Sequence, residues 1–216
     1  MNLFRQVTGV AAAVVILAGA SVAHAVPFEI NAASFSAGAG YGVDSSEGSG
    51  TLLDVRFSTS IFSQQDFSLS SIDSAFTFSF GTVSLQEPNS NGGIRASETD
   101  SLGVLAFLTF ANPQGATSNL VASGSAFAGS IADSASDYTL VWNPLDVSFG
   151  SGGLFRVALS DLSFSEGGMQ TQFATITLLR LPSEQISVNA VPEPATLVLI
   201  GAGLFGLATV RRKRPA

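Results

Sequence analysis

Apolar and polar side chains alternate along most of this chain in short runs of period two, the repeat that sends successive residues to opposite faces of a β-strand. Val26, Phe28 and Ile30 alternate with Pro27 and Glu29, a short strand whose proline places it at a sheet edge. Leu53, Val55 and Phe57 alternate with Asp54 and Arg56, one face on a core and the other in water. Phe62 to Ile72 continues the pattern more weakly. The sharpest alternation is Phe76, Phe78 and Phe80, which slips phase at Gly81 before Val83 and Leu85 resume. A one-residue slip reverses every side chain, so a β-bulge is predicted at Gly81-Thr82. Leu102 to Phe110 is apolar on both faces, as a central strand is, and its length and its flanks of Gly103 and Asn112-Pro113 favour strand over buried helix.

Tyr138, Leu140 and Trp142 line one strand face, which is predicted to be buried, and Asn143-Pro144 then turns the chain. Val147 and Phe149 lead into Gly150-Ser151-Gly152-Gly153, a hairpin tip, and Leu154 to Phe164 pairs back with a change of phase between Leu159 and Leu162. The last strand, Phe173 to Leu181, turns Ile176 and Leu178 one way and Thr175 and Thr177 the other until Pro182 stops it. Between these runs, 32–50 reads as a long surface loop or weak hairpin, Glu87 to Gly93 as a turn, and 115–136 as a long, small and polar connection. About eight strands with almost no helical period predict a single antiparallel β-sandwich over residues 26–182, with the phase breaks at Gly81 and Asp161 bending strands around its corners.

The two ends follow other rules. Met1 to Gln6 carries one cation, Arg5, Val7 to Ala20 is uncharged and apolar, and Ala23-His24-Ala25 supplies small residues at cleavage spacing. Residues 1–25 are therefore expected to be a secretory signal peptide, cut after Ala25, which implies the Sec translocon and signal peptidase as partners. At the other end, after a polar spacer over 183–190, come Val191, Pro192, Glu193 and Pro194, an uncharged run from Ala195 to Val210, and the cations Arg211, Arg212, Lys213 and Arg214. As a helix the apolar run would be about 24 Å long, short of the roughly 30 Å hydrocarbon core unless the bilayer thins or the arginines snorkel. The basic cluster is expected to stay cytoplasmic and hold everything before Val191 outside.

This ordered tail, residues 191–216, resembles the PEP-CTERM sorting signal of Gram-negative envelope proteins. The resemblance implies recognition by an exosortase, a membrane transpeptidase-like enzyme, a transient inner-membrane anchor at about 195–210, removal of the tail near Pro192-Glu193-Pro194, and a destination at the cell surface or in an extracellular, biofilm-type matrix. Inside the tail, Gly201-Ala202-Gly203-Leu204-Phe205-Gly206 copies the dinucleotide fingerprint letter by letter, yet no strand precedes it and too few residues follow for a βαβ unit. Its glycines suit close packing of transmembrane helices instead.

Charge changes the picture once the ends are set aside. Residues 26–190 hold four arginines (56, 95, 156 and 180) against fifteen carboxylates, a net charge of −11. Such a body repels phosphate backbones, so nucleic acid is not an expected partner, whereas divalent cations are compatible. The only His is His24 and the only Lys is Lys213, and there is no Cys. The body therefore has no means for Ser-His-Asp or Cys-His catalysis, no His-ligated zinc and no disulfide framework.

The candidate chemistry is thin. Asp44 with Glu47, Glu98 with Asp100, and Asp133 with Asp137 are loop carboxylate pairs of the kind calcium takes, but none has EF-hand or RTX spacing, so solvated carboxylates are the simpler expectation and no cofactor is assigned. No spacing singles out a glycosidase pair. Against fifteen Phe in the body stand only Trp142, Tyr41 and Tyr138. Tyr41, in a glycine loop, is the better candidate for an exposed sugar-stacking ring. The expected function is that of a non-catalytic, exported β-sandwich of the surface or matrix. The alternatives are a polysaccharide- or calcium-binding surface module and, third, an envelope enzyme.

Overall fold

The computed structural model describes residues 25–44, 50–89, 92–133 and 135–183. The expected signal peptide up to His24, the spacer from Glu184, the sorting motif, the transmembrane helix and the basic cluster lie outside the described residues. Among the described residues no helix is long and apolar enough to cross a membrane.

The body is all-β. Its eleven strands are β1 (Val26–Ala37), β2 (Val55–Ser58), β3 (Gln65–Leu69), β4 (Ala75–Leu85), β5 (Gly103–Asn112), β6 (Thr117–Ala126), β7 (Tyr138–Asn143), β8 (Leu145–Phe149), β9 (Gly153–Leu159), β10 (Leu162–Phe164) and β11 (Gly168–Arg180). They form two antiparallel sheets, one in the order β10-β7-β6-β5-β1-β3 and the other β2-β4-β11-β9-β8. The sheets face each other across one core. Phe28 of β1 packs edge-on against Phe155 of β9 at 5.2 Å, Phe35 of β1 against Phe80 of β4 at 4.7 Å, and Phe110 of β5 lies 5.1 Å from Phe155. Among the described residues every buried apolar side chain of this core lies between Val26 and Leu178.

The period-two runs are the strands, and the bulge is where the phase slip demands one. Gln172 pairs with Gly81 but Phe173 with Ser79, which leaves Phe80 as the extra residue of β4, one position before the expected pair. Phe76, Phe78 and Phe80 before it, and Val83 and Leu85 after it, all turn inward. Gly81 is required there because a Cβ would collide with the Ser58 carbonyl oxygen. β1 is not the short edge strand expected from Pro27: it runs to Ala37 between β5 and β3, and Pro27 is accommodated because pairing with β5 begins only at Glu29.

Three further expectations are corrected. The supposed connection 115–136 contains β6, an interior strand between β5 and β7. Its inward positions Leu120, Ala122 and Gly124 shrink along the strand, so large-apolar alternation never appears. The supposed loop after Asn31 is the second half of β1, pairing Ala32–Ala37 with Val104–Thr109, and here too Ala and Ser hide the period. The run 154–164 is two strands in different sheets: β9 pairs with β8 and β11, whereas β10 pairs with β7. The phase change around Asp161 is thus a crossing between sheets, and the described residues form eleven strands, not about eight.

Candidate functional site

Two networks of polar side chains reach into the core. Tyr41 follows the end of β1 and donates its hydroxyl hydrogen to the Leu102 carbonyl at 2.8 Å, which leaves the Tyr138 hydroxyl, 2.8 Å away, to donate to Tyr41. A Cβ on Gly124 would strike the Tyr41 hydroxyl, so the bare backbone of β6 makes room for this pair. Burial pushes the Tyr41 phenol up to about 12, and burial, then the Tyr41 charge and hydrogen bond, push Tyr138 up as well. Tyr41 is therefore not the exposed sugar platform expected of it: its ring packs edge-on against Phe57 at 5.1 Å.

The second network ties the sheets together through Gln172, which has no solvent exposure. The Trp142 indole donates to Gln172 Oε1 at 3.0 Å, and Gln172 Nε2 donates to the Ser160 carbonyl at 2.6 Å and hydroxyl at 2.9 Å. Asp161 Oδ1 accepts the Trp142 backbone N–H at 2.8 Å, pinning the sheet crossing to β7. Sequence reasoning passed over Gln172, although it shares the inward phase of Ala174, Ile176 and Leu178 and a glutamine there must find partners.

The loop carboxylates are occupied with backbone. Asp44 Oδ2 accepts the N–H groups of Thr51 and Leu52 at 2.9 and 3.1 Å, Glu98 that of Arg95 at 2.7 Å, Asp133 that of Ser130 at 2.9 Å and Asp137 that of Ala132 at 2.9 Å. Glu98 and Asp137 are buried at 1% and 2% exposure, not solvated as expected, while Asp100 is exposed. Glu47 lies outside the described residues. Among the described residues no three His, Cys, Asp or Glu side chains gather closely enough to hold a metal ion.

Two shallow grooves are open to solvent. One of about 360 Å³ lies over β1 and β3, with Glu29 and Asp66 opposite each other on its wall. The other, about 380 Å³, runs between β1 and β2 and is lined by Phe35, Tyr41 and Phe57 with Arg56 at its side. On the five-stranded sheet Arg156 of β9 grips Asp146 of β8 through paired hydrogen bonds of 2.7 and 3.0 Å, which lower the Asp146 carboxyl from its ordinary range. Neither groove assembles an acid, a base and a nucleophile.

The body is all-β, and the tail carries its own signature. Residues 190–213 match the family model of the PEP-CTERM protein-sorting motif. That motif marks exported proteins sorted by an exosortase at the envelope of Gram-negative bacteria. No curated protein and no solved structure matches the chain.

Proposed function

We propose that this chain is an exported, non-catalytic β-sandwich protein that an exosortase severs from its anchor and leaves at the cell surface or in the extracellular matrix. The observation that carries the reading is the sorting motif at residues 190–213, set behind a compact all-β body. In this reading residues 1–25 are the signal peptide cut at Ala23-His24-Ala25, residues 183–190 the spacer, Val191 to Pro194 the recognition site, 195–210 the transient helix and Arg211 to Arg214 its cytoplasmic stop. A non-catalytic role is supported by a body without His, Cys or Lys. A calcium or polysaccharide role has less behind it, because Asp44, Glu98, Asp133 and Asp137 each hold a loop backbone and Tyr41 is turned inward.

The test is the mature C-terminus. Replacing Pro192, Glu193 and Pro194 with Ala should leave a membrane-retained protein that still carries its tail, and deletion of the exosortase should do the same to the parent chain. Identical mature C-termini by mass spectrometry in parent, variant and deletion strain would refute it.

A further inference from the structure

The carboxylates of this acidic body are not spread evenly. β5, β6, β7, β10 and β1 from Asn31 onward contain no Asp, Glu, Lys or Arg at all. These are five adjacent strands of the six-stranded sheet, so its outer face is uncharged except at one corner, where Glu29 of β1 and Asp66 of β3 stand opposite each other. The acids that border these strands lie in turns: Asp100, Asp161 and Glu166 are exposed, while Asp137, just before β7, is buried on the Ala132 N–H. The outer face of the other sheet, by contrast, carries Arg56, Arg156 and Asp146.

The centre of the uncharged face is apolar. Leu105 of β5 and Val121 of β6 are direct cross-strand partners, and Val141 of β7 lies diagonal to Val121, at exposures of 38%, 51% and 50%. Phe107 continues the patch along β5, and hydroxyls such as Ser123 and Thr139 surround it. Side chains left this exposed show that no described segment folds over them.

We infer that this face is a self-association surface, on which a second copy of the chain packs sheet against sheet about a two-fold axis. Charge selects the occupant. Two bodies of net charge −11 repel at most approaches, and this neutral face is where they meet with the least opposition. Size is compatible: five strands spaced about 4.8 Å apart and about 25 Å long give roughly 500 Å² of mean plane per copy, or on the order of 1,000–1,300 Å² of surface buried by a pair, the lower end of specific interfaces. Such a contact is weak and reversible. Because the flanking carboxylates of the two copies approach one another, it should tighten with salt, the reverse of an ion-paired interface.

The experiment is sedimentation of the body, residues 26–190, across a concentration series at about 50 mM and about 500 mM NaCl, a change that shortens the screening length from roughly 14 Å to roughly 4 Å. The expected result is a monomer–dimer equilibrium whose Kd falls severalfold at the higher salt. Val121→Glu, at a half-exposed position, should raise that Kd by a factor of ten or more while leaving the far-UV spectrum unchanged. Phe173→Glu, equally exposed on the opposite sheet, should leave it unaltered. A monomer at every concentration and salt overturns the inference. So does a dimer that Val121→Glu leaves intact, or one that Phe173→Glu breaks to the same extent.

Discussion

Removing the Gln172 amide should cost far more than its small share of the core suggests. Gln172→Leu keeps the volume and adds apolar area, yet it strands the buried Trp142 indole N–H, which loses its acceptor at 3.0 Å, and takes a donor at 2.6 Å from the half-buried Ser160 carbonyl. A buried donor or acceptor left without a partner costs about 1–3 kcal/mol. Leucine burial returns on the order of 1 kcal/mol. The net loss expected is then about 2–4 kcal/mol, and for a body of this length that lowers the melting temperature by roughly 5–12 °C. Urea unfolding read by the fluorescence of Trp142, the only tryptophan, reports the loss at the place where it arises. A double-mutant cycle with Trp142→Phe, followed by circular dichroism, separates this cause from general loosening: the indole exchange should cost less in the Gln172→Leu background, where it also removes an orphaned donor. A loss below about 0.5 kcal/mol, or strict additivity in the cycle, would refute the reasoning.

Other outcomes follow from the same geometry. Gly124→Ala drives a methyl into the Tyr41 hydroxyl and to within 2.8 Å of the Leu102 carbonyl oxygen, and should cost about 1–3 kcal/mol, less in a Tyr41→Phe background; melting curves of the four combinations decide it. Folding raises the Tyr41 pKa from 10 to about 12, so the unfolded chain gives up this proton first; stability should hold below pH 10 and fall as pH rises through 12, and a denaturation series at rising pH that shows no such decline in the parent, or the same decline in the Tyr41→Phe, Tyr138→Phe double variant, contradicts the buried pair. Neutralising Arg211, Arg212, Lys213 and Arg214 should let uncut, full-length protein slip through the membrane. Fractionation that finds the variant retained and trimmed like the parent removes the basic cluster from its role as a stop.

Where a strand carries large apolar residues on one face, its existence, its inward face and even its bulge could be read from residue order, as in Phe76 to Leu85 and Tyr138 to Trp142, whereas at Leu53 to Phe57 the strand begins only at Val55 and Asp54, expected in water, is buried. β6 and the second half of β1 were illegible for a physical reason. On β6 the small inward residue Gly124 makes room for the Tyr41 hydroxyl, and in β1 the inward Phe35 stands alone among Ala and Ser; the chain's own periodicity does not encode what a distant residue occupies. The split at Asp161 shows a related limit, since a phase change says that a strand has turned over but not that its continuation has joined the other sheet. Tyr41 was misplaced because a ring in a glycine loop reads as surface, whereas the partner that draws it inward, Tyr138, lies 97 residues along the chain. The sorting motif was legible throughout, because it depends on order along the chain and not on contacts across a fold.

The position of β11 has a consequence for timing. This last strand lies inside the five-stranded sheet, between β4 and β9, and the Thr77–Thr175 hydroxyl contact across it joins residues 98 apart. Until β11 arrives, β4 has only the four residues of β2 beside it, and the β8–β9 hairpin has no route into the sheet. Closing so long a loop is slow, and a chain that emerges from its N-terminus cannot begin it until Gly168 is out or complete it until Arg180 is. The fold thus delays its own completion: on the proposed export route the polypeptide lacks, for most of its passage, the strand that would lock it.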